Sequence, residues 1–359
     1  MQRYLGERSS HASCIGRHAI FISSGILSST ILFSDKSFLH SDNPDKKKND
    51  KMTSASIYKG ERQMKGNFYS LFVLIAAFFW GTTGTVQAMA PESSTPLAFG
   101  AFRLLIGGSA MLLAVWISRE LHVKNWSWPL VLSAAVCMAC YQPLFFTAVK
   151  ETGIAVGTVI AIGSAPIIAG SMEWAVLKKR PRNSWWIATV LALAGCWLLF
   201  SDGSNVRIDV AGVLMALGAG ASFAGYTLIS KAMMKTQPPR ATSAVVFMIS
   251  AILLTPLLWQ SDISWILTPR GLGTSLYIGL IATCAAYFLF AKGLTGVPAS
   301  AAVTLSLAEP LTASLLGVFF IGEMLSLSSW LGIALMMLGL LVISAAPRKQ
   351  KTAGAAHMS

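Results

Sequence analysis

PASAAVTLSLAEPLTASLLGVFFIGE, residues 298–323, is an apolar run of membrane-crossing length with a carboxylate, Glu309, and a proline, Pro310, at its middle. A helix needs about 20 predominantly apolar residues to cross the hydrocarbon core, and it satisfies its own backbone hydrogen bonds there. The run at residues 154–179, IAVGTVIAIGSAPIIAGSMEWAVLKK, lies 144 positions earlier and has its proline, Pro166, in register with Pro310. At the same shift Ala155 falls on Ala299, Phe79 on Phe223, Gly81 on Gly225 and Thr83 on Thr227. Trp186 falls on Trp330, Leu191 on Leu335 and Gly195 on Gly339, so one register joins the first and last helices of both halves. Paired Pro, Trp and Gly in a single register mark an internal duplication.

Working outward, ten stretches qualify as spans: Phe68 to Met89, Pro96 to Ile117, Trp128 to Val149, Gly153 to Leu177, Trp185 to Phe200, Val210 to Ser230, Ala241 to Trp259, Leu272 to Ala291, Pro298 to Ile321 and Ser329 to Ala345. The predicted fold class is an all-α integral membrane protein of ten transmembrane helices in two five-helix repeats. Five is odd, so the second copy must enter the membrane from the opposite side and the repeats are inverted. Such repeats suit secondary transport, because two similar halves can exchange conformations around one central site.

Lys and Arg in alternate connections test the count. One side receives Lys59, Arg62, Lys65, Arg119, Lys124, Lys178, Lys179, Arg180, Arg182, Lys231, Lys235, Arg240, Lys292, Arg348, Lys349 and Lys351; the other has Lys150, Arg207 and Arg270. The positive-inside rule then puts both termini in the cytoplasm, and a miscounted span would have scrambled the bias. It also explains the formal charge of +13 without nucleic acid, since no basic face with interleaved aromatics appears. Charged residues are only 12% of the chain against about 25% in soluble domains, which calls for a lipid bilayer as the second solvent.

Four regions follow. Residues 1–63 are polar, rich in Ser and Lys, and read as a disordered cytoplasmic extension, with Met1, Met52 and Met64 all open as the start of translation. Residues 64–205 form the first repeat, 206–346 the second, and 347–359 a cytoplasmic tail.

Trp80-Gly81 in the first span, Phe102-Arg103 in the second, and Glu309-Pro310 with Gly322-Glu323 around the ninth resemble the EamA family of the drug/metabolite transporter superfamily. The resemblance covers residues 68 to 345. It implies a ten-helix basket with a central cavity in a bacterial cytoplasmic (inner) membrane, exporting amino acids, amines or related metabolites, with spans one, three, six, eight and nine around the pore. The acidic position matched by Glu323 is Lys179 in the first half, so any role of that acid belongs to Glu323 alone.

Glu309 is the leading candidate for binding or coupling. It lies about 11 residues into its span, roughly 16 Å from the end, where a carboxylate facing lipid is costly. Proton coupling, recognition of an ammonium group and helix packing all remain open for it. Its repeat counterpart is Ala165, so the scaffold does not require an acid there. Pro166 and Pro310 are candidate hinges, because each removes a helix hydrogen bond. Ser306, one turn before Glu309, and Ser164, beside Pro166, are further candidates, against the plainer reading of helix packing. Trp80, Tyr141, Gln142, Tyr226 and Tyr287 need partners at mid-span, from a hydrated cavity or another helix. Arg103, about seven residues into the second span, either snorkels outward or forms a structural ion pair, or else binds a solute carboxylate.

Other chemistry is not supported. Cys137 and Cys140 form a Cys-x-x-Cys inside a span without further ligands, and all five histidines lie outside the spans, so neither metal nor cofactor is expected. No Walker loop or paired acid and nucleophile marks an enzyme. The expected partner is a small-molecule solute. Monomer and homodimer stay open, as do import, or exchange of anionic and phosphorylated metabolites. A membrane-embedded enzyme or receptor is the reading from another class, and no extramembrane domain supports it.

Overall fold

A computed structural model of the chain describes residues 68–121, 126–178, 180–200, 209–259, 263–322 and 324–345. These belong to one compact unit. The expectations for the extension 1–63, for Lys179 and Glu323, and for the tail 347–359 lie outside the described residues.

Ten helices long and apolar enough to cross a membrane are present among the described residues: α1 (Phe68–Ala88), α2 (Pro96–Ile117), α3 (Trp128–Thr152), α4 (Ile154–Leu177), α5 (Asn183–Phe200), α6 (Val210–Met233), α7 (Pro239–Leu258), α8 (Pro269–Gly296), α9 (Ala299–Phe320) and α10 (Leu327–Ala345). Local signals set their starts. Pro lies in the first turn of α2, α3, α7 and α8, where its missing N–H costs nothing. The side chains of Thr95, Asp209 and Thr268 accept from the first free backbone N–H groups of α2, α6 and α8.

Two spans are irregular. α8 contains a π-helical turn at Leu280–Ala285, and α9 is broken at Ser306 and Leu307 before ending in a π-helical turn at Gly317–Ile321. The break follows from Pro310, which has no N–H for the Ser306 carbonyl. That carbonyl instead accepts from the Glu309 N–H at 2.9 Å, and Leu307 N–H turns to the Thr304 carbonyl at 3.1 Å. α4 runs as one helix through Pro166. Of the two proline positions, the interruption occurs only at the second.

Helix neighbours obey the inversion. α2 packs on α7, α4 on α9 and α5 on α10, each pair being its own image under exchange of the halves. The α3–α6 contact is matched by α8–α1, where Gly293 and Gly296 admit Val73 and Tyr69. α3–α4 and α3–α7 are matched by α8–α9 and α8–α2. The repetition reaches atomic detail in the α5–α10 pair. A Cβ on Gly195 would stand 2.5 Å from the Gly332 carbonyl, and one on Gly339 would stand 2.7 Å from the Ala188 carbonyl, which is the same contact moved by 144 residues. Backbone approach through small residues is how membrane helices gain dispersion energy when lipid supplies no hydrophobic drive.

Polar ties also join the halves. Trp185 Nε1 donates to Thr304 Oγ1 at 3.1 Å, and Thr189 shares a hydrogen bond with the same hydroxyl. The Glu173 carboxylate of α4 accepts from Ser300 N at 3.0 Å and Ser300 Oγ at 2.5 Å. It caps the first turn of α9, a use of an acid at a helix N-terminus worth about 1 kcal/mol.

Candidate functional site

α4 and α9 face each other across the pseudo-twofold relation, and the space between them is a cavity. Ala161, Ile162 and Ala165 of α4 and Val303, Ser306 and Glu309 of α9 line it, together with Trp80, Arg103, Tyr141, Phe223 and Tyr287. Ala165 with Glu309 and Ile162 with Ser306 are repeat equivalents. Both members of each pair reach the cavity, so it lies on the relation between the halves. Its atom-free space, open mouth included, is about 480 Å³.

The walls have three chemical characters. α4 supplies an apolar wall. Trp80, Phe223, Tyr287 and Phe290 form an aromatic floor, with ring centroids 4.7 Å apart for Trp80 and Tyr287 and 5.2 Å for Trp80 and Phe290. Phe247 packs against Tyr287, the ring centroids 4.3 Å apart and the planes tilted by 55°. On this side of Glu309 the α9 residues 299–308 are all buried, whereas 311–316 are half-buried. The floor therefore seals one end.

The third character is charge. Glu309 projects from the turn after the α9 break, and among the described residues its carboxylate has no hydrogen-bond or ion-pair partner. Arg103 enters from α2, its Nε donating to Thr283 Oγ1 at 2.9 Å and one terminal nitrogen to the Ala282 carbonyl at 3.5 Å. Among the described residues the two groups line the same cavity without forming an ion pair. Opposite charges held apart in a low-dielectric space are each left with unspent electrostatic energy for a ligand.

Of the residues singled out from sequence, Trp80, Arg103, Tyr141, Tyr287, Ser306 and Glu309 meet at this cavity. The snorkelling alternative for Arg103 is replaced by an inward pose. Three candidates are placed elsewhere. Gln142 is buried against α2, its side-chain oxygen 2.9 Å from where a Cβ on Gly100 would lie. Ser164 turns to α6 opposite Gly220 and bonds its own helix at the Ala161 carbonyl, 3.2 Å away. Tyr226 is fully buried against Phe247 and Tyr287, with Ser230 and Ser243 flanking its hydroxyl. One helix residue is a rotation of about 100°. Gln142 and Ser164 each sit one residue from a true liner, Tyr141 and Ala165, and so face away.

Sequence reasoning missed Phe223, Ala161, Ile162 and Val303, which carry no polar signal in spans that are apolar all round. Phe223 was within reach, because it is the repeat partner of Phe79. Among the described residues no three His, Cys, Asp or Glu side chains cluster as a metal site.

A ten-helix inverted repeat around one charged, aromatic-floored cavity defines a membrane carrier architecture. Comparison with known proteins gives the family: a model described as the EamA-like transporter family matches residues 67–201 and 210–345, and the chain belongs to that family. It is 96% identical over 296 residues to a Bacillus subtilis protein described as an uncharacterized transporter, YwfM, covering 82% of this chain and all of that protein. It is 30% identical over 201 residues to the threonine/homoserine exporter RhtA of Escherichia coli, covering 51% of this chain and 64% of that exporter. A solved crystal structure superposes with a TM-score of 0.68 at 20% identity over 76% of this chain and 95% of its own, and shares the fold. The chain is a multi-pass membrane transporter.

Proposed function

We propose that this transporter exports a small zwitterion of the amino-acid type, with the cavity as its solute site and a proton as the coupling ion. The observation that carries the reading is the pairing of an unpartnered Glu309 carboxylate with an inward-facing Arg103 guanidinium over an aromatic floor. An ammonium group fits between Glu309 and the ring faces, and a carboxylate fits the guanidinium fork. The apolar α4 wall of Ala161, Ile162 and Ala165 suits a small apolar side chain. Glu309 can hold either a proton or the solute ammonium, and competition for one carboxylate links the two fluxes. The name of the Escherichia coli relative, an exporter of threonine and homoserine, agrees with this solute class.

The basic connections orient the chain with both termini in the cytoplasm. In that orientation the aromatic floor closes the cytoplasmic end, and transport requires the floor to open as the outer end closes. Carriage of anionic or phosphorylated metabolites fits less well, because the one guanidinium shares its cavity with a carboxylate.

Uptake of radiolabelled amino acids and amines into everted vesicles with an imposed proton gradient tests the proposal. Gradient-driven accumulation of a zwitterion, lost in Glu309→Gln, is the expected result. Full, equally pH-dependent activity of Glu309→Gln would remove Glu309 from the mechanism.

A further inference from the structure

We infer that Thr283, presented by the π-helical turn of α8, is a positioning residue that aims Arg103 into the cavity and thereby sets the preference for solutes that carry a carboxylate. The inference rests on reading the cavity as the solute site.

Arg103 lies seven residues after Pro96, roughly 10 Å along α2. An arginine at that depth lowers its energy by extending to the headgroups, so something must hold it inward. The hold is the 2.9 Å bond from Nε to Thr283 Oγ1, supported by the longer contact to the Ala282 carbonyl. A bond at Nε fixes the roll of the planar guanidinium while leaving terminal N–H groups for a ligand. Two-point recognition of a carboxylate depends on that plane.

Thr283 departs from the commonest pattern among the threonines of these helices, a departure it shares with Thr189, whose hydroxyl is turned across to Thr304. Thr152, Thr227, Thr242, Thr255, Thr304 and Thr312 each donate to the carbonyl four residues back. Among the described residues Thr283 makes no such bond; its hydroxyl is turned across to α2. The π-helical turn over Leu280–Ala285 inserts a residue and reaims the side chains after it, a common device at functional sites. The helices are pressed together at this point. A Cβ on Gly107 would lie 2.5 Å from Thr283 Cγ2, and one on Gly279 would lie 2.4 Å from Ile106 Cγ2. Thr283 is fully buried, so neither water nor lipid competes for the Arg103 bond.

The test compares purified, reconstituted wild type, Thr283→Val, Thr283→Ser and Arg103→Gln. Each is assayed with the amino acid that wild type carries fastest and with the amine left by removing its carboxyl group. Thr283→Val keeps the shape and loses the hydroxyl. It should raise KM for the amino acid roughly tenfold, as expected for losing a bond to a charged group, with kcat and the amine KM unchanged. Thr283→Ser should restore the wild-type ratio. Equal changes for both solutes in Thr283→Val, or none, would overturn the inference. If Arg103→Gln abolishes the amino-acid preference while Thr283→Val keeps it, positioning fails and the solute-site reading stands. If Arg103→Gln keeps the preference, or wild type carries no amino acid, both fall.

Discussion

The α4 and α9 walls of the cavity are two copies of one design, yet only one carries chemistry. α4 offers Ala161, Ile162 and Ala165; at equivalent or neighbouring positions α9 offers Val303, Ser306 and Glu309. Away from the cavity the copies stay alike, down to the glycine contacts that join α5 to α10. Under the proposed function, a symmetrical scaffold lets each half adopt the shape of the other during a cycle, whereas one-sided recognition matches a solute with two unlike ends. The duplicated frame and the single polar set therefore answer different requirements.

The largest effect should come from moving the acid between the copies. Glu309→Ala removes one of the two charges and should weaken solute binding by about 2–5 kcal/mol, 30-fold or more. Adding Ala165→Glu to that variant returns a carboxylate to the equivalent position on the opposite wall. If the cavity is symmetrical in backbone, equilibrium binding should recover in part, while coupled transport should not, because α4 lacks the break that α9 has before Pro310. Full recovery of transport would show that either wall can serve.

An intermediate effect probes the frame. Gly195→Ala and Gly339→Ala each force a methyl group against a backbone carbonyl closer than 3 Å. Both should destabilise the protein by about 1–3 kcal/mol, visible as lowered thermal unfolding temperatures in detergent. The two losses should be nearly equal. A large difference would mean that the α5–α10 contact is not shared evenly between the repeats.

Much of this comparison is readable in the chain itself, for identifiable reasons. Ten spans are legible because the bilayer imposes one length and one polarity on each, and the inversion is legible because five is odd. Glu309 and Arg103 stand out because charge within a membrane is expensive. The wall residues are another matter: α4 is apolar on every side, so nothing in its periodicity separates Ala165, on the cavity, from Ser164, against Gly220. Pro166 and Pro310 look alike in sequence and act differently: at the second, the Glu309 N–H donates to the Ser306 carbonyl that the proline frees, and the helix breaks there. The π-helical turn at Thr283 has no signature in residue type and appears only in the packing of α8 on α2.

The smallest effect lies where each wall ends. Gly322 closes α9 in the left-handed region at φ 80° and ψ 24°, and its repeat counterpart Lys178 closes α4 at φ 54° and ψ 25°. A left-handed turn suits glycine and costs an ordinary residue about 1 kcal/mol. The stretch that follows differs in charge, Lys178, Lys179, Arg180 and Arg182 against Gly322, Glu323, Met324 and Ser326, and the two stretches emerge on opposite sides of the membrane. A lysine at a helix C-terminus on the positive side gains from the helix dipole and from anionic headgroups. Strain and charge thus oppose each other at Lys178, and strain alone acts at position 322. Gly322→Ala should cost about 1 kcal/mol, while Lys178→Gly in detergent should gain about 0.5 kcal/mol, since the added freedom of the unfolded chain offsets part of the relief. Repeating the melt in vesicles of anionic lipid should shrink or reverse that gain. An equal gain in both settings would mean that the lysine contributes nothing through its charge, leaving the departure from glycine without an electrostatic cause.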